Sequence, residues 1–143
     1  MNGNIDQFPI YTKQELAEIQ LNRAITLLLD EKDIVCAITL AGAAEEILGK
    51  LLERRGGTHA LKEFTDDCVS IGKQMGENWS AKSFADMVNN FRNELKHIAS
   101  GSEVILPIEA AHEIIHRAAE NLRRLSDHQS ELVCRFYSEV YYL

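Results

Sequence analysis

Proline is nearly missing from this chain. Two residues in 143, Pro9 and Pro107, leave long stretches with nothing to interrupt a helix. No segment alternates apolar and polar side chains for long enough to suggest a half-buried strand. Cysteine is scarce as well. Cys36, Cys68 and Cys134 are odd in number and far apart, which fits reduced, buried thiols better than a disulfide or zinc framework. The longest nearly apolar run, residues 34–44, is far too short to cross a bilayer. Met1-Asn2-Gly3-Asn4 has neither the charged nor the apolar region of a secretion signal. A soluble, cytoplasmic protein without a membrane partner is therefore expected. Positive charge is in deficit: Lys and Arg number 15 against 22 Asp and Glu, a net charge of −7. That excludes coating nucleic acid by bulk charge, so any RNA contact must come from a local basic patch.

What the chain does have is apolar spacing at helical period. Its length suits one domain over 1–143, with 1–11 as a leader from which Phe8 and Ile10 dock on the body. Thr12 and Glu15 form a capping box, with Tyr11 and Leu16 at staple positions. Ala17, Leu21, Ala24 and Leu28 then mark a first helix. A second runs from about Asp33 to Arg55 and stops at Gly56-Gly57. Its stripe is Ile34, Ile38, Ala41, Leu48 and Leu52, and Ala41-Gly42-Ala43-Ala44 admits a close neighbour. A third covers 60–74. A fourth begins at Ser80, with Trp79 and Phe84 as its staple. It buries Phe84, Met87, Val88, Phe91, Leu95 and Ile98, and ends at 99–102. A fifth starts near Pro107 and carries Ile108, Ala111, Ile115, Ala118, Leu122 and Leu125. A sixth, 130–142, follows it across a kink near Asp127. The expected fold is all-α, a compact bundle of five or six helices.

The chemistry concentrates in Phe91-Arg92-Asn93-Glu94-Leu95-Lys96-His97. With Phe91 and Leu95 in the core stripe, Arg92 and Lys96 flank it. Asn93 and His97, four apart, share an outward face. The result is a basic, hydrogen-bonding surface at a helix C-terminus, where free carbonyls favour a protonated imidazole. RNA cleavage without metal needs a proton carrier near neutral pKa and a fixed cation on the phosphate. Histidine supplies the first and arginine the second. One chain offers one such histidine, so a two-fold dimer apposing two copies would complete an acid–base pair. By spacing alone the same residues are more often an ordinary solvated helix face.

Arg92-Asn93-Glu94-Leu95-Lys96-His97 resembles the R-x4-6-H motif of the HEPN superfamily, including a polar residue directly after the arginine. The resemblance implies a small all-α bundle with the motif near the end of a late helix. It implies an endoribonuclease of toxin or defence type that uses no metal or other cofactor and acts as a homodimer. An antitoxin protein is then a natural partner. In that scheme Arg92 binds the scissile phosphate, His97 handles protons, and Asn93 orients either. Here His97 is followed by Ile98 rather than the glycine common in the family. Other members of the superfamily resemble nucleotide- or protein-binding modules that cut nothing.

Glu45 falls inside the apolar stripe of the second helix, where an unpaired carboxylate is costly. Arg92 is its expected partner, with Arg23 or water as alternatives. Lys96 and Glu45 therefore join the site as supporting residues. Two other patterns compete. His112-Glu113-Ile114-Ile115-His116 is a literal H-E-x-x-H, the spacing of a zinc hydrolase. No strand accompanies it, and its third ligand is unspecified; Glu131 and Glu139 are compatible by distance alone. E-x-x-H at Glu94/His97, Glu109/His112 and Glu113/His116 resembles the ligand pairs of di-iron bundles, to which Glu45 could add a carboxylate. Finally, Phe136, Tyr137, Tyr141 and Tyr142 crowd the C-terminus as core or as an oligomer surface.

Overall fold

The computed structural model describes residues 8–96 and 103–142, and all regular structure among them is helical. Helix α1, Lys13–Leu29, opens where the capping signal places it: the Glu15 amide donates to Thr12 Oγ1 at 3.1 Å. Helix α2, Ile34–Arg54, is capped by Asp33, whose Oδ1 accepts from the Cys36 amide. It ends at Gly56, whose φ of 76° only glycine adopts at no steric cost. Helix α3, Ala60–Gln74, is capped by a histidine, His59.

The expected fourth helix is two. Helix α4, Ala81–Val88, stops at Asn89, and a short α5, Asn90–Glu94, restarts on the other side. Helix α6, Ile108–Leu125, and α7, Glu131–Val140, are separate helices and not one kinked rod. Ser126 between them is fully extended, with φ −148° and ψ 137°. The described residues thus form seven helices where five or six were expected.

The core is where α2 lies along α1 and α6. Leu21, Ile25, Ile38, Leu48 and Ile115 are sealed there, joined by Val133 and Phe136 from α7. Small residues permit the close packing: Ala17, Ala24, Ala37, Ala41, Ala44, Ala111 and Ala118 are all fully buried. The α3–α4 pair packs chiefly on itself. Its corner is closed by the expected staple, the Trp79 and Phe84 rings lying edge to face at 5.7 Å.

This placement corrects the burial expected for residues 80–98. Phe84, Val88, Phe91 and Leu95 are half-buried, and Met87 is exposed. The break at Asn89 splits what would have been one continuous stripe, so no single face can seat on the core. Ile98 and His97 lie outside the described residues. Two further expectations change. Cys36 and Cys134 are exposed and Cys68 is half-buried, so the thiols are not core groups. Phe8 and Ile10 are exposed and do not dock. No helix of the described residues is long and apolar enough to cross a membrane.

Among the described residues Phe136 is the largest fully buried side chain. Phe136→Ala should therefore destabilise the fold by about 3–5 kcal/mol, read as a lowered denaturation midpoint in urea with an unchanged slope.

Candidate functional site

Glu45 is buried, as its position in the α2 stripe requires, and it is paired. Its partner is Arg117 of α6, not Arg92. Arg117 Nε donates to Glu45 Oε2 at 3.0 Å, and Nη2 forms an ion pair with the same oxygen at 2.8 Å. Both side chains are almost sealed, at 10% and 5% exposure. The alternative partner Arg23 is engaged elsewhere, with Glu31. The pairing follows from helix packing: α2 runs alongside α6 through the core, whereas α5 reaches only the edge of α2.

The pair is the hub of a polar network. Arg117 Nη2 also approaches Asn89 Oδ1 at 3.4 Å, tying the core to the α4–α5 break. Asn121, one turn after Arg117, is buried as well. Its Nδ2 donates to the Glu45 carbonyl, and its Oδ1 accepts from the Ala60 amide at 2.8 Å, holding the start of α3. Asn89, Arg117 and Asn121 were not singled out from sequence. A signal was present in α6: Ile114, Arg117 and Asn121 repeat at three- and four-residue spacing beside the main stripe, marking a second buried row.

Arg92 turns inward, toward α2. A Cβ at Gly42 would lie 2.5 Å from Arg92 Cδ, so the arginine stem occupies the space that the missing side chain leaves. The small-residue run in α2 thus admits a side chain. Arg92 Nε is buried without a hydrogen-bond partner. No described carboxylate forms an ion pair with this guanidinium. Arg92 borders a cavity of about 170 Å³ together with Asn89, Asn121, His59 and Lys50. The carboxylates at its edge are already engaged, Glu46 by Lys50 and Glu53 by His59. Glu46 is held below the usual carboxylate range, chiefly by the Lys50 hydrogen bond and more weakly by the charges of Lys50, Arg92 and Lys96. Arg92 and Lys96 therefore project their charge onto one part of α2. His59 is engaged at both ring nitrogens. Its Nδ1 accepts from the Lys62 amide, which leaves the proton on Nε2 facing Glu53.

The expected outward face is thus divided. Arg92 points in, while Asn93 and Lys96 are exposed. His97 lies outside the described residues.

The H-E-x-x-H residues sit on α6 without a metal-ligand set. His112 is half-buried with its ring edge to face against Phe136, and His116 bonds through Nδ1 to the Tyr137 hydroxyl at 2.9 Å. Glu139 is engaged with Arg135. Among the described residues no group of three His, Cys, Asp or Glu side chains is placed to hold a metal ion. The C-terminal aromatics divide: Phe136 is core, Tyr137 is half-buried, and Tyr141 and Tyr142 are exposed. Comparison with family models, curated proteins and solved structures finds no significant match.

Two predictions follow from this geometry. Glu45→Ala should cost about 3–5 kcal/mol, because it strands a buried guanidinium; a denaturation curve measures it. Burial pushes the Tyr137 hydroxyl up to about 12. Its neutral form is favoured in the fold, so this contribution to stability is present below pH 10 and lost as pH rises through about 12. Absorbance titration should lose its latest tyrosine step in Tyr137→Phe.

Proposed function

We propose that this domain acts on RNA as a HEPN-like, metal-independent endoribonuclease of toxin or defence type. The observation that carries the reading is Arg92: a guanidinium that lines a small cavity and pairs with no described carboxylate. Leaving such a donor unpaired is costly. A phosphate oxygen is the acceptor that suits its charge and planar geometry. In this reading Arg92 binds the scissile phosphate. His97, the histidine of the R-x4-6-H pattern, carries protons, and Lys96 adds positive potential at the rim. The 2′-hydroxyl attacks phosphorus after losing its proton to one imidazole. The leaving 5′-oxygen gains a proton from a second, and a cyclic 2′,3′-phosphate remains. A homodimer supplies the second imidazole.

A second reading has its own support. Arg92 and Asn93 do not converge on one point, which suits a module that binds a nucleotide or a protein and cuts nothing.

The test is RNA cleavage in excess EDTA. Wild-type protein should release fragments ending in cyclic phosphate and spare DNA. His97→Ala should lose about 10²–10⁴-fold and Arg92→Ala about 10²–10³-fold. Arg92→Lys should rescue poorly, since an ammonium cannot make the two-pronged contact. Light scattering should report a dimer. Activity abolished by EDTA, or retained in His97→Ala, would overturn the nuclease reading; RNA retained without fragments would select the binding module. Gly42→Ala provides a finer probe. A methyl there must displace the Arg92 stem, so cleavage should fall. Stability should change little, because the alanine gains about 1 kcal/mol of helix propensity.

A further inference from the structure

A larger cavity than the one beside Arg92 lies in the cleft between the α3–α4 pair and α6–α7, with a volume of about 600 Å³. Its walls combine three kinds of group. Phe64 of α3 and Tyr141 at the end of α7 supply aromatic faces. Glu113 and Arg117 supply a carboxylate and a guanidinium from one face of α6, four residues apart.

Those two would ordinarily pair with each other. They do not, because Arg117 has already committed Nε and Nη2 to Glu45 and Asn89. Glu113 is left without an ion pair. It remains exposed, and its charge is felt at the Tyr141 hydroxyl. Arg117 is almost sealed, yet its remaining nitrogen, Nη1, donates to no group of the protein. Nη1 is not among the sealed unsatisfied atoms, so it retains solvent contact, and the cavity that Arg117 lines is this one. The other cation in the cleft, Arg124, is neutralised by Glu63 and Glu120.

The cleft therefore offers one fixed donor, one free carboxylate acceptor a helical turn away, and aromatic surface on opposite walls. Its charge disfavours a phosphate, because Glu63, Asp67, Glu113 and Glu120 outnumber the two arginines at its rim. A planar neutral ligand with an acceptor edge beside a donor edge fits this set. We propose that this cleft is a base-binding subsite for guanine in single-stranded RNA. Arg117 Nη1 donates to O6, Glu113 accepts from N1–H and the 2-amino group, and the ring lies against Tyr141 or Phe64, as unstacked bases do on aromatic side chains. The subsite extends the RNA-acting reading by naming a base, and its test does not depend on cleavage.

The test is calorimetric titration of the intact protein with guanosine, adenosine, 2-aminopurine riboside and GMP. Guanosine should bind, adenosine about ten-fold more weakly. The 2-aminopurine riboside lacks O6 and, with it, the N1 proton, so it removes the Arg117 contact and one Glu113 contact without disturbing the Arg117–Glu45 pair, and it should bind at least about ten-fold more weakly. Glu113→Gln should weaken guanosine by a similar factor with an unchanged melting temperature, and Tyr141→Ala should weaken all the nucleosides together. Guanosine binding that survives Glu113→Gln unchanged, preference for GMP over guanosine, or no binding by any nucleoside would each overturn the subsite. A protein that binds guanosine as described but cuts no RNA in EDTA would sink the nuclease and leave the subsite standing. Cleavage without guanosine binding would do the reverse.

Discussion

The buried ion pair between Glu45 and Arg117 organises the polar half of this bundle. A carboxylate and a guanidinium in a dry core recover their desolvation cost only if their geometry and remaining hydrogen bonds are good. Here both conditions are met by neighbours that belong to other elements. Asn89 takes an Arg117 contact at the α4–α5 break, and Asn121 reads the Glu45 carbonyl while holding the first amide of α3. One pair thus connects α2, α3, α6 and the α4–α5 junction. Replacing it with apolar groups of the same shape would preserve packing in the core. It would not preserve the positions of α3 and the Asn89 break.

That constraint has consequences at two places on the surface. With Glu45 taken by Arg117, Arg92 has no buried carboxylate to answer it, and its stem lies in the space opened by Gly42. With Arg117 taken by Glu45, Glu113 loses its natural partner one turn away on α6. A guanidinium and a carboxylate that might have been neutralised inside the protein both remain available to something outside it. They lie at different cavities, one bordered by Arg92 and the other by Glu113.

Much of the helical order was legible because helices announce themselves locally. Thr12, Asp33 and Ser80 cap the helices they precede, and Gly56 closes α2. The break at Asn89 was not legible, since apolar spacing continues through it from Phe84 to Leu95. Periodicity records which residues could share a face, not whether one straight helix presents them. Partner choice was equally hidden. Glu45 demanded a cation, and several arginines were chemically adequate; only the alignment of α2 with α6 selects among them.

The sequence by itself determined that the described chain is helical, where most helices begin and end, and that a carboxylate would be buried in α2. These follow from backbone hydrogen bonding, capping and apolar period, which act over a few residues. Tertiary structure alone decided that Glu45 meets Arg117, that Arg92 turns inward against Gly42, and that Glu113 is left unpaired beside an aromatic cleft. Those outcomes depend on how helices distant in the chain cross. A crossing is chosen by the summed packing of whole faces, and no single residue encodes it.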